Sequence, residues 1–369
     1  MSGKNELKEM LRKLTDAMGV SGHEQEVIKV VYDSIKDYAD EVKVSTTGNV
    51  VAIKKGKKPG PAIAVGSHLD EVGYIVRNIL PSGFLTLDRI GYPPDSVAVG
   101  RTVWVSSKRI PGVIGTKPGH LMTAEEKRLV TPLTKNFVDV GCGSADEVKA
   151  LGIKIGDPVI IQTSMMEMAN PDFICSRALD NRINCAIIVE LFKALKSDDF
   201  AGTLYGVFTV REEIGLVGAQ NAIYDYDIDY VIALDTIPVA DTPDFNPAND
   251  LPMWLGRGPG FAICEDYSGS LGAFQLAHPG VRKFIEETAE KAKINIQPIT
   301  LAFAGYCTDA VKYAYSKRGI PTATLTVPRR YSHSPVELMN INDAVDLLAL
   351  LRGMVKDNDK VNLNFVELE

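Results

Sequence analysis

The stretch TLYGVFTV, residues 203–210, runs directly into residues 211–213, Arg-Glu-Glu. Its residues are nearly all apolar, which is typical of a strand that is covered on both faces of its sheet. Two later stretches, Asp229–Leu234 and Thr322–Val327, have the same character, and the first of them is followed by Asp235. Strands of this kind occur in sheets flanked by helices, so the sequence predicts an α/β domain.

Helical patterns alternate with these strands along the chain. Apolar residues spaced three and four apart mark the buried face of a helix. They occur at Leu7, Leu11, Leu14 and Met18, at Val27, Val30, Val31 and Ile35, at Ile183, Ile187, Leu191 and Ala194, and helices are also predicted over Val281–Ala292, Ala310–Lys317 and Ile341–Val355. Two further strands are predicted at Asn49–Ile53 and Ala62–Val65. The alternation indicates one α/β domain built from both ends of the chain.

Between Gly73 and Ser164 the pattern changes to short strands without long helices. Thr123–Arg128 is the exception and is predicted as a short helix. Runs rich in Val and Ile lie between Gly, Pro and Asp turns, at Tyr74–Ile79, Phe84–Leu87, Thr102–Val105, Gly112–Ile114, Phe137–Val140 and Pro158–Gln162. Strands of this kind are typical of a small barrel or sandwich. We therefore expect an α/β domain, residues 1–72 plus 165–369, interrupted by a β-rich insertion, residues 73–164.

Composition argues against several classes of protein. The chain has 369 residues, with 47 Asp and Glu against 40 Lys and Arg, and no basic stripe, so no nucleic-acid partner is expected. No uncharged stretch reaches the roughly 18 residues that a membrane span needs, and the N-terminus lacks the apolar core of a secretory signal. The five cysteines form no CxxC pair. We therefore expect a cytoplasmic location, where thiols stay reduced.

His68 lies at the end of the strand that begins at Ala62, and Asp70 follows two residues later. Alternation places both side chains on the same side of an extended segment. A carboxylate there can accept the second ring N–H of the histidine and fix the tautomer that binds a metal. A surface histidine with a nearby acid would give the same pattern, so the pair alone leaves both interpretations open.

Carboxylates at two further places in the sequence have either a functional or a purely structural explanation. Glu212 and Glu213 stand together at the carboxyl end of a buried strand, where bare charges repel and lose solvation. A metal would relieve this cost if one glutamate bound it and the other acted as general base, whereas an exposed helix start is the alternative. Asp180, just before a helical stripe, is either an N-cap or a bridge between two cations.

Asp235 and His333 extend the set of nitrogen and oxygen donors formed by His68, Asp180 and Glu213. All five lie at strand ends or helix starts, and ligands of α/β folds converge on the carboxyl edge of the sheet. Because no cysteine joins the set, it points to a catalytic rather than a closed structural metal site.

Five segments together resemble the tetrahedral, dodecameric metallo-aminopeptidase family. They are His68–Gly73 (HLDEVG), Ala178–Arg182 (ALDNR), Glu212–Gly215 (EEIG), Leu234-Asp235 and Arg330–Pro335 (RYSHSP). The resemblance covers nearly the whole chain in order, with the β-rich insertion at the expected place. The family includes glutamyl and deblocking aminopeptidases, and some members carry an endoglucanase label.

The resemblance implies a mixed-sheet α/β/α peptidase domain of the two-zinc aminopeptidase type, with an inserted β-barrel-like dimerisation domain. It implies two divalent metal ions per subunit, Zn or Co, and removal of N-terminal residues from peptide substrates. It also implies a role for each residue: His68 and Asp235 bind one metal, Glu213 and His333 bind the other, Asp180 bridges them, Asp70 orients His68, and Glu212 is the general base and acid.

The resemblance further implies that the insertion forms dimers and that the dimers assemble into a hollow dodecamer. The family usually has a pair of glycines before its Thr-Asp, whereas this chain has Gly305-Tyr306-Cys307 before Thr308-Asp309. That departure concerns the substrate-binding wall rather than the metals. His120 is either an ordinary loop histidine or a side chain that enters the site of a neighbouring subunit.

Two other functions stay open as alternatives. A related two-metal deacylase or carboxypeptidase would share the core, but it commonly has a proline soon after the first histidine-acid motif and a different acid at the second metal, where this chain has Val72-Gly73 and Asp235. A non-catalytic assembly protein would lack a ligand or the base, yet all seven positions are filled. Glycoside hydrolysis would need two carboxylates free of metal. The sequence favours a metallo-aminopeptidase and does not identify its preferred N-terminal residue.

Overall fold

The computed structural model describes residues 2–195, 200–266, 274–302 and 305–366. The strands are β1 (Glu41–Val44), β2 (Val50–Lys55), β3 (Lys58–His68), β4 (Gly73–Ile79), β5 (Leu85–Ile90), β6 (Arg101–Val105), β7 (Ile110–Ile114), β8 (Phe137–Asp139), β9 (Pro158–Ile161), β10 (Met166–Glu167), β11 (Phe173–Ser176), β12 (Ala201–Thr209), β13 (Tyr230–Pro238), β14 (Gly260–Asp266), β15 (Phe274–Leu276), β16 (Gln297–Leu301), β17 (Thr322–Arg330) and β18 (Glu337–Asn340). The helices are α1 (Ser2–Asp16), α2 (Gln25–Ile35), α3 (Ala145–Ala150), α4 (Leu179–Ala194), α5 (Ala219–Ala222), α6 (Pro247–Asp250), α7 (Pro279–Ala292), α8 (Ala310–Ala314) and α9 (Ile341–Lys356).

A mixed sheet forms the centre of the larger domain. Its spatial order is β1-β2-β12-β3-β13-β17, in which the last four strands run parallel to one another and β2 runs antiparallel to both of its neighbours, β1 and β12. Beyond β17 the sheet branches, because β14 pairs with the first part of that strand and β18 with its end. The buried stretches of the sequence thus become the central parallel strands, as predicted.

Helices cover both faces of this sheet. On one face α4 lies between the sheet and the helices α1 and α9, and its residues from Leu179 to Phe192 are all buried. On the other face the short helices α5 and α8 pack through Ala222 and Tyr313 against Ala64 and Val207. Apart from Asp180, Asn181, Arg182, Asn184 and Glu190, the buried stretch of α4 is apolar, as expected for a helix that is covered on several sides. The predicted α/β/α layering is confirmed.

The insertion forms a closed antiparallel barrel of six strands in the order β4-β5-β8-β7-β6-β9. Its own core includes Val76, Leu87, Val103 and Val138. The first and last strands pair with each other, with Tyr74 opposite Val159, so the chain leaves and re-enters the α/β domain at one place. The predicted barrel-like insertion is therefore confirmed as a fold.

The short helix predicted at Thr123–Arg128 is wrong. Only Glu126–Arg128 forms a single 3-10 turn. Residues 123–130 are all exposed, so a longer helix would have no apolar face to bury, and isolated short helices are marginal in water. None of the described helices is long and apolar enough to cross a membrane. The five cysteines are all free.

The parallel strands bring the chemically important segments to one edge. His68 is the last residue of β3 and stands in register with Thr209, the last residue of β12. Asp235 lies in β13, two residues beyond Ala233, which pairs with Gly66 of β3. The carboxyl ends of three central strands therefore meet, as expected for a ligand site in such a sheet.

Candidate active site

The structure brings together all seven residues that the sequence singled out: His68, Asp70, Asp180, Glu212, Glu213, Asp235 and His333. Each is supplied by a strand end or by the loop that follows it, except Asp180, which lies at the start of α4. All are buried apart from His333, whose side chain is about one-quarter exposed, at 26%. Spatial convergence of residues so distant in sequence is the first sign of a functional site.

Asp180 lies between the two histidines. Its Oδ1 is 3.2 Å from Nε2 of His68, and its Oδ2 is 3.5 Å from Nε2 of His333. Asp235 lies on the His68 side, with Oδ1 at 3.8 Å from Nε2, and Glu213 lies on the His333 side, with Oε2 at 3.3 Å from Nε2. Two groups of donors therefore form, and both contain Asp180.

These donors suit divalent cations. Within each of the two groups, one atom from every residue lies within 4.8 Å of the others. Among the described residues, Oε1 of Glu213 is buried without a hydrogen-bond donor, and the buried Oδ1 of Asp180 faces the ring nitrogen of His68. Buried carboxylate oxygens of that kind are costly unless a cation or a proton satisfies them. Imidazole and carboxylate ligands without thiolate are compatible with zinc and cobalt.

Glu212 lies at the edge of the same cluster. Its Oε2 is 3.8 Å from Nε2 of His68, and a third group of possible donors contains His68, Glu212 and Glu213. Distance alone therefore does not separate a base from a ligand at this position. Glu212 also lines a cavity of about 470 Å³ that opens onto the cluster.

Asp70 organises the backbone of the glutamate pair as well as His68. Its Oδ1 accepts the N–H of Glu212 at 2.9 Å and its Oδ2 accepts the N–H of Glu213 at 3.1 Å. The hydroxyl of Ser21 also donates to Oδ2. Toward His68 the carboxylate is more distant, since Nδ1 lies 3.5 Å from Oδ1 but 3.2 Å from the backbone oxygen of Asp70. The fully buried carboxylate thus fixes the loop that follows β12.

Burial and mutual repulsion shift the pKa values of the cluster. Burial raises the pKa of Glu213 to about 8, with the Asp180 carboxylate adding to the effect, and burial also raises the pKa of Glu212. Burial alone would lower the pKa of His333, but the carboxylates of Glu213 and Asp180 outweigh it and raise that pKa to about 9. Clusters with such perturbed acids and bases are typical of functional sites.

Several residues at or beside the site have a left-handed backbone conformation. Ala178, Arg211, Tyr331 and His333 all have positive φ, between 54° and 60°. Non-glycine residues adopt this region only when the surrounding structure enforces it, and such residues concentrate at functional sites. Asp180 has non-helical dihedral angles at the start of α4, and the helix has no side-chain N-cap hydrogen bond. The geometry therefore does not support the N-cap interpretation of Asp180.

Two residues that the sequence did not single out complete the surroundings of Asp180. Arg329 at the end of β17 contacts Oδ2 of Asp180 and lies 3.2 Å from Glu337. Glu337 accepts the N–H of Asp180 at 3.0 Å and the N–H of His333 at 2.9 Å. Burial works against ionisation of Asp180, but the charge of Arg329 outweighs it and holds the pKa of that carboxyl well below its usual range. Glu337 lies four residues after His333, which is the only local signal for it.

A buried ion-pair cluster supports the segment that carries Asp180. The carboxylate of Glu71 contacts the guanidinium of Arg177 and lies 3.2 Å from that of Arg182, and its Oε1 accepts the N–H of Gly19 at 3.1 Å. The two arginines flank Asp180 in the sequence. His120, in contrast, is exposed on the insertion and does not line the cavity within the described part of the chain.

Comparison with known families places this geometry in context. Residues 48–350 match the family described as M42 glutamyl aminopeptidase, and residues 5–30 match one described only as AMPT. The chain belongs to the M42 glutamyl aminopeptidase family. The resemblance predicted from the five motifs is thereby confirmed, and membership supports hydrolysis of peptide bonds as the reaction class.

Three relatives span nearly the whole M42 chain. A putative aminopeptidase of Acetivibrio thermocellus is 35% identical, covering 92% of this chain and 96% of its own. A lysyl aminopeptidase of Pyrococcus furiosus and a glutamyl aminopeptidase of Lactococcus lactis are each 30% identical, covering 95% of this chain and 96% of theirs. All three relatives are named as aminopeptidases, and two of them are named after different N-terminal residues, lysine and glutamate.

Solved structures agree in fold with this M42 chain. The aminopeptidase APDkam598 of Desulfurococcus kamchatkensis has a TM-score of 0.88 at 30% identity, covering 96% of this chain and 95% of its own. The TET1 peptidase of Pyrococcus horikoshii has a TM-score of 0.82 at 29% identity over 95% and 99%, and it is described as assembling into a tetrahedron or a large octahedral shell. A putative peptidase/endoglucanase has a TM-score of 0.72 at 28% identity over 97% and 99%.

Proposed function

We propose that this chain is a two-metal aminopeptidase that removes N-terminal residues from peptides. The observation that carries the proposal is the position of Asp180, whose two oxygens face His68 on one side and His333 on the other. A carboxylate placed between two donor groups is suited to neutralise two cations at once. Membership of the M42 family supports the peptidase reaction itself.

The proposed ligand sets follow from the two donor groups. His68 and Asp235 would hold one cation, Glu213 and His333 the other, and Asp180 would contribute to both. When bound, a pair of cations polarises the scissile carbonyl and lowers the pKa of the attacking water. The unpartnered Oε1 of Glu213 supports this assignment, because a buried carboxylate oxygen without a donor is costly.

Glu212 is proposed as the general base and acid. The bond from its backbone N–H to Asp70 fixes the main chain of Glu212 beside the cavity, and burial raises the pKa of its carboxyl. A carboxylate with a raised pKa can take a proton from water and deliver it to the leaving amine. Asp70 then acts as a positioning residue, because it fixes His68 and the backbone of Glu212 and Glu213 together.

The decisive test uses metal-stripped protein. Zinc or cobalt added back should restore hydrolysis of aminoacyl anilides, and bound metal should approach two ions per chain. Release of acetate or of the amino acid from N-acetyl amino acids instead would favour a deacylase or carboxypeptidase. Retention of two metals without hydrolysis of any of these compounds would favour a non-catalytic assembly protein.

Oligomerisation is proposed to depend on the insertion. We propose that residues 73–164 form the dimerisation domain and that dimers assemble into a dodecamer. The support is the dodecamer and the tetrahedral or octahedral shells described for related TET1 peptidases. Light scattering should then give a particle of about twelve chain masses. The five free cysteines are consistent with the cytoplasmic location proposed for this assembly.

A further inference from the structure

We infer that this enzyme prefers peptides whose N-terminal side chain is uncharged, because among the described residues the cavity wall beyond the donor cluster contains no charged side chain that lacks a partner. The inference rests on the proposed aminopeptidase function and names the substrate class of the same site. It concerns only the walls of the cavity, not the metals.

The walls beyond the cluster are neutral. The cavity of about 470 Å³ is lined there mainly by Tyr92, Leu216, Pro238, Gly305, Tyr306 and Cys307. The three further wall residues are a glycine, a threonine and a serine. The hydroxyl of Tyr306 already donates to the backbone oxygen of Thr236 at 2.6 Å. The surface that would meet a substrate side chain is therefore largely apolar, with small polar groups.

The one cation in the lining outside the two histidines is already paired among the described residues. Arg329 contacts Asp180, donates from Nε to Thr236 and lies 3.2 Å from Glu337. It is also buried, with 2% of its surface exposed. A glutamyl side chain would have to displace a buried ion pair to reach this guanidinium, which is strongly unfavourable because it leaves a buried charge without its partner.

Two further buried acids, Glu265 and Asp309, do not line the cavity. Glu265 is fully buried and accepts the hydroxyls of Thr308 at 2.9 Å and Thr324 at 2.8 Å. Asp309 is also buried and accepts the hydroxyl of Thr209. Neither residue lines the cavity. The two sequence segments that follow β14 and β16 outside the described residues, 267–273 and 303–304, contain no charged residue.

The consequence for substrate choice follows from solvation. A lysyl or glutamyl side chain that enters this cavity loses water without gaining an opposite charge. An apolar side chain gains from burial in this cavity, because its apolar surface is removed from water. The names of two relatives, lysyl and glutamyl aminopeptidase, show that the family includes other preferences. The preference for uncharged N-terminal side chains therefore follows from the residues that line the cavity in this particular chain.

The first experiment measures kcat/KM on metal-loaded enzyme for leucyl, methionyl, lysyl, arginyl, glutamyl and aspartyl anilides. Leucyl and methionyl compounds should exceed every charged compound by roughly tenfold or more. A lysyl or glutamyl compound cleaved best would overturn the inference and leave the aminopeptidase function standing. If no aminoacyl compound is cleaved, the proposed function itself fails.

The second experiment adds a charge to the wall at Gly305. This residue has φ of +67°, which Asp and Asn tolerate better than other side chains, and a Cβ there would meet no atom within 4 Å. Gly305→Asp should raise kcat/KM for the lysyl relative to the leucyl compound by roughly fivefold or more, whereas Gly305→Asn, the neutral control, should leave that ratio unchanged. An equal shift in both variants, or none in Gly305→Asp, would refute wall charge as the basis of selectivity.

Discussion

Replacing Glu71 with glutamine should destabilise the α/β domain by about 3–5 kcal/mol, although the change removes only one charge. Glu71 is 3% exposed, and its two partners, Arg177 and Arg182, are 7% and 0% exposed. Glutamine preserves the shape of the side chain but leaves two buried guanidinium groups without an opposite charge. Removal of one member of a buried ion pair costs this much because the remaining charge is neither paired nor hydrated.

The structure also indicates where in that range the value should fall. Arg182 donates to the backbone oxygen of Leu14 at 2.6 Å, and Arg177 donates to that of Ala17 at 3.1 Å. These carbonyl acceptors remain in the variant and satisfy part of the lost hydrogen bonding. The cost should therefore lie nearer 3 than 5 kcal/mol, still a large share of the usual 5–15 kcal/mol of stability.

The assay is urea unfolding at a fixed metal concentration in a Trp104→Phe background. Trp104 lies in the barrel strand β6, so the remaining Trp254 reports on the α/β domain alone. Glu286→Gln is the matched control, because Glu286 lies 2.8 Å from Arg282 on α7 but both side chains are nearly half exposed. That exposed pair should be worth less than about 1 kcal/mol. A loss for Glu71→Gln no larger than that of the control would refute the reasoning.

Three further predictions concern the proposed chemistry and the pH response. Glu212→Gln should retain both metals and lose at least about 10²-fold in kcat, since the base is removed; loss of a metal equivalent, measured by elemental analysis, would make Glu212 a ligand instead. Asp180→Asn should lose at least one metal at equilibrium and lose activity even with excess cation, and two metals at wild-type affinity would contradict the bridging role. Burial raises the pKa of Asp343 from its ordinary value of 3.8 to about 7, so the folded state holds this proton more tightly than the unfolded chain. Its contribution to stability should be full below pH 3.8 and decline as pH rises toward 7. In Asp343→Asn the midpoint urea concentration of unfolding should therefore depend less on pH between these two values. An unchanged dependence on pH would contradict this prediction.

The residues of the proposed site were predictable because their signals are local. His68, Glu212 and Glu213 each follow a run of apolar residues, and a charged side chain just after a buried strand has few purely structural explanations. The parallel arrangement of such strands brings their carboxyl ends together whatever the loops do. Short segments of the sequence therefore indicate both the chemistry of the site and its approximate position in the fold.

Several strands were not predictable from their own residues. β14 ends in Glu265 and Asp266, two acids that local pattern would place in a loop. The burial of Glu265 is possible because the distant residues Thr308 and Thr324 donate hydroxyl hydrogen bonds to it. Pro298 in β16 gives a similarly misleading local signal. Here tertiary partners override the propensity of the segment.

The sequence by itself determined the class of fold, the barrel insertion and the set of nitrogen and oxygen donors, since each depends on residue type and on periodicity over a few positions. Only the tertiary structure decided which groups hold those donors in place. Arg329 contacts Asp180 across 149 residues, and Glu71 contacts Arg177 across 106. Such pairs carry no periodicity and no motif, because they exist only after packing has brought separate elements together and excluded the water that would otherwise screen their charges.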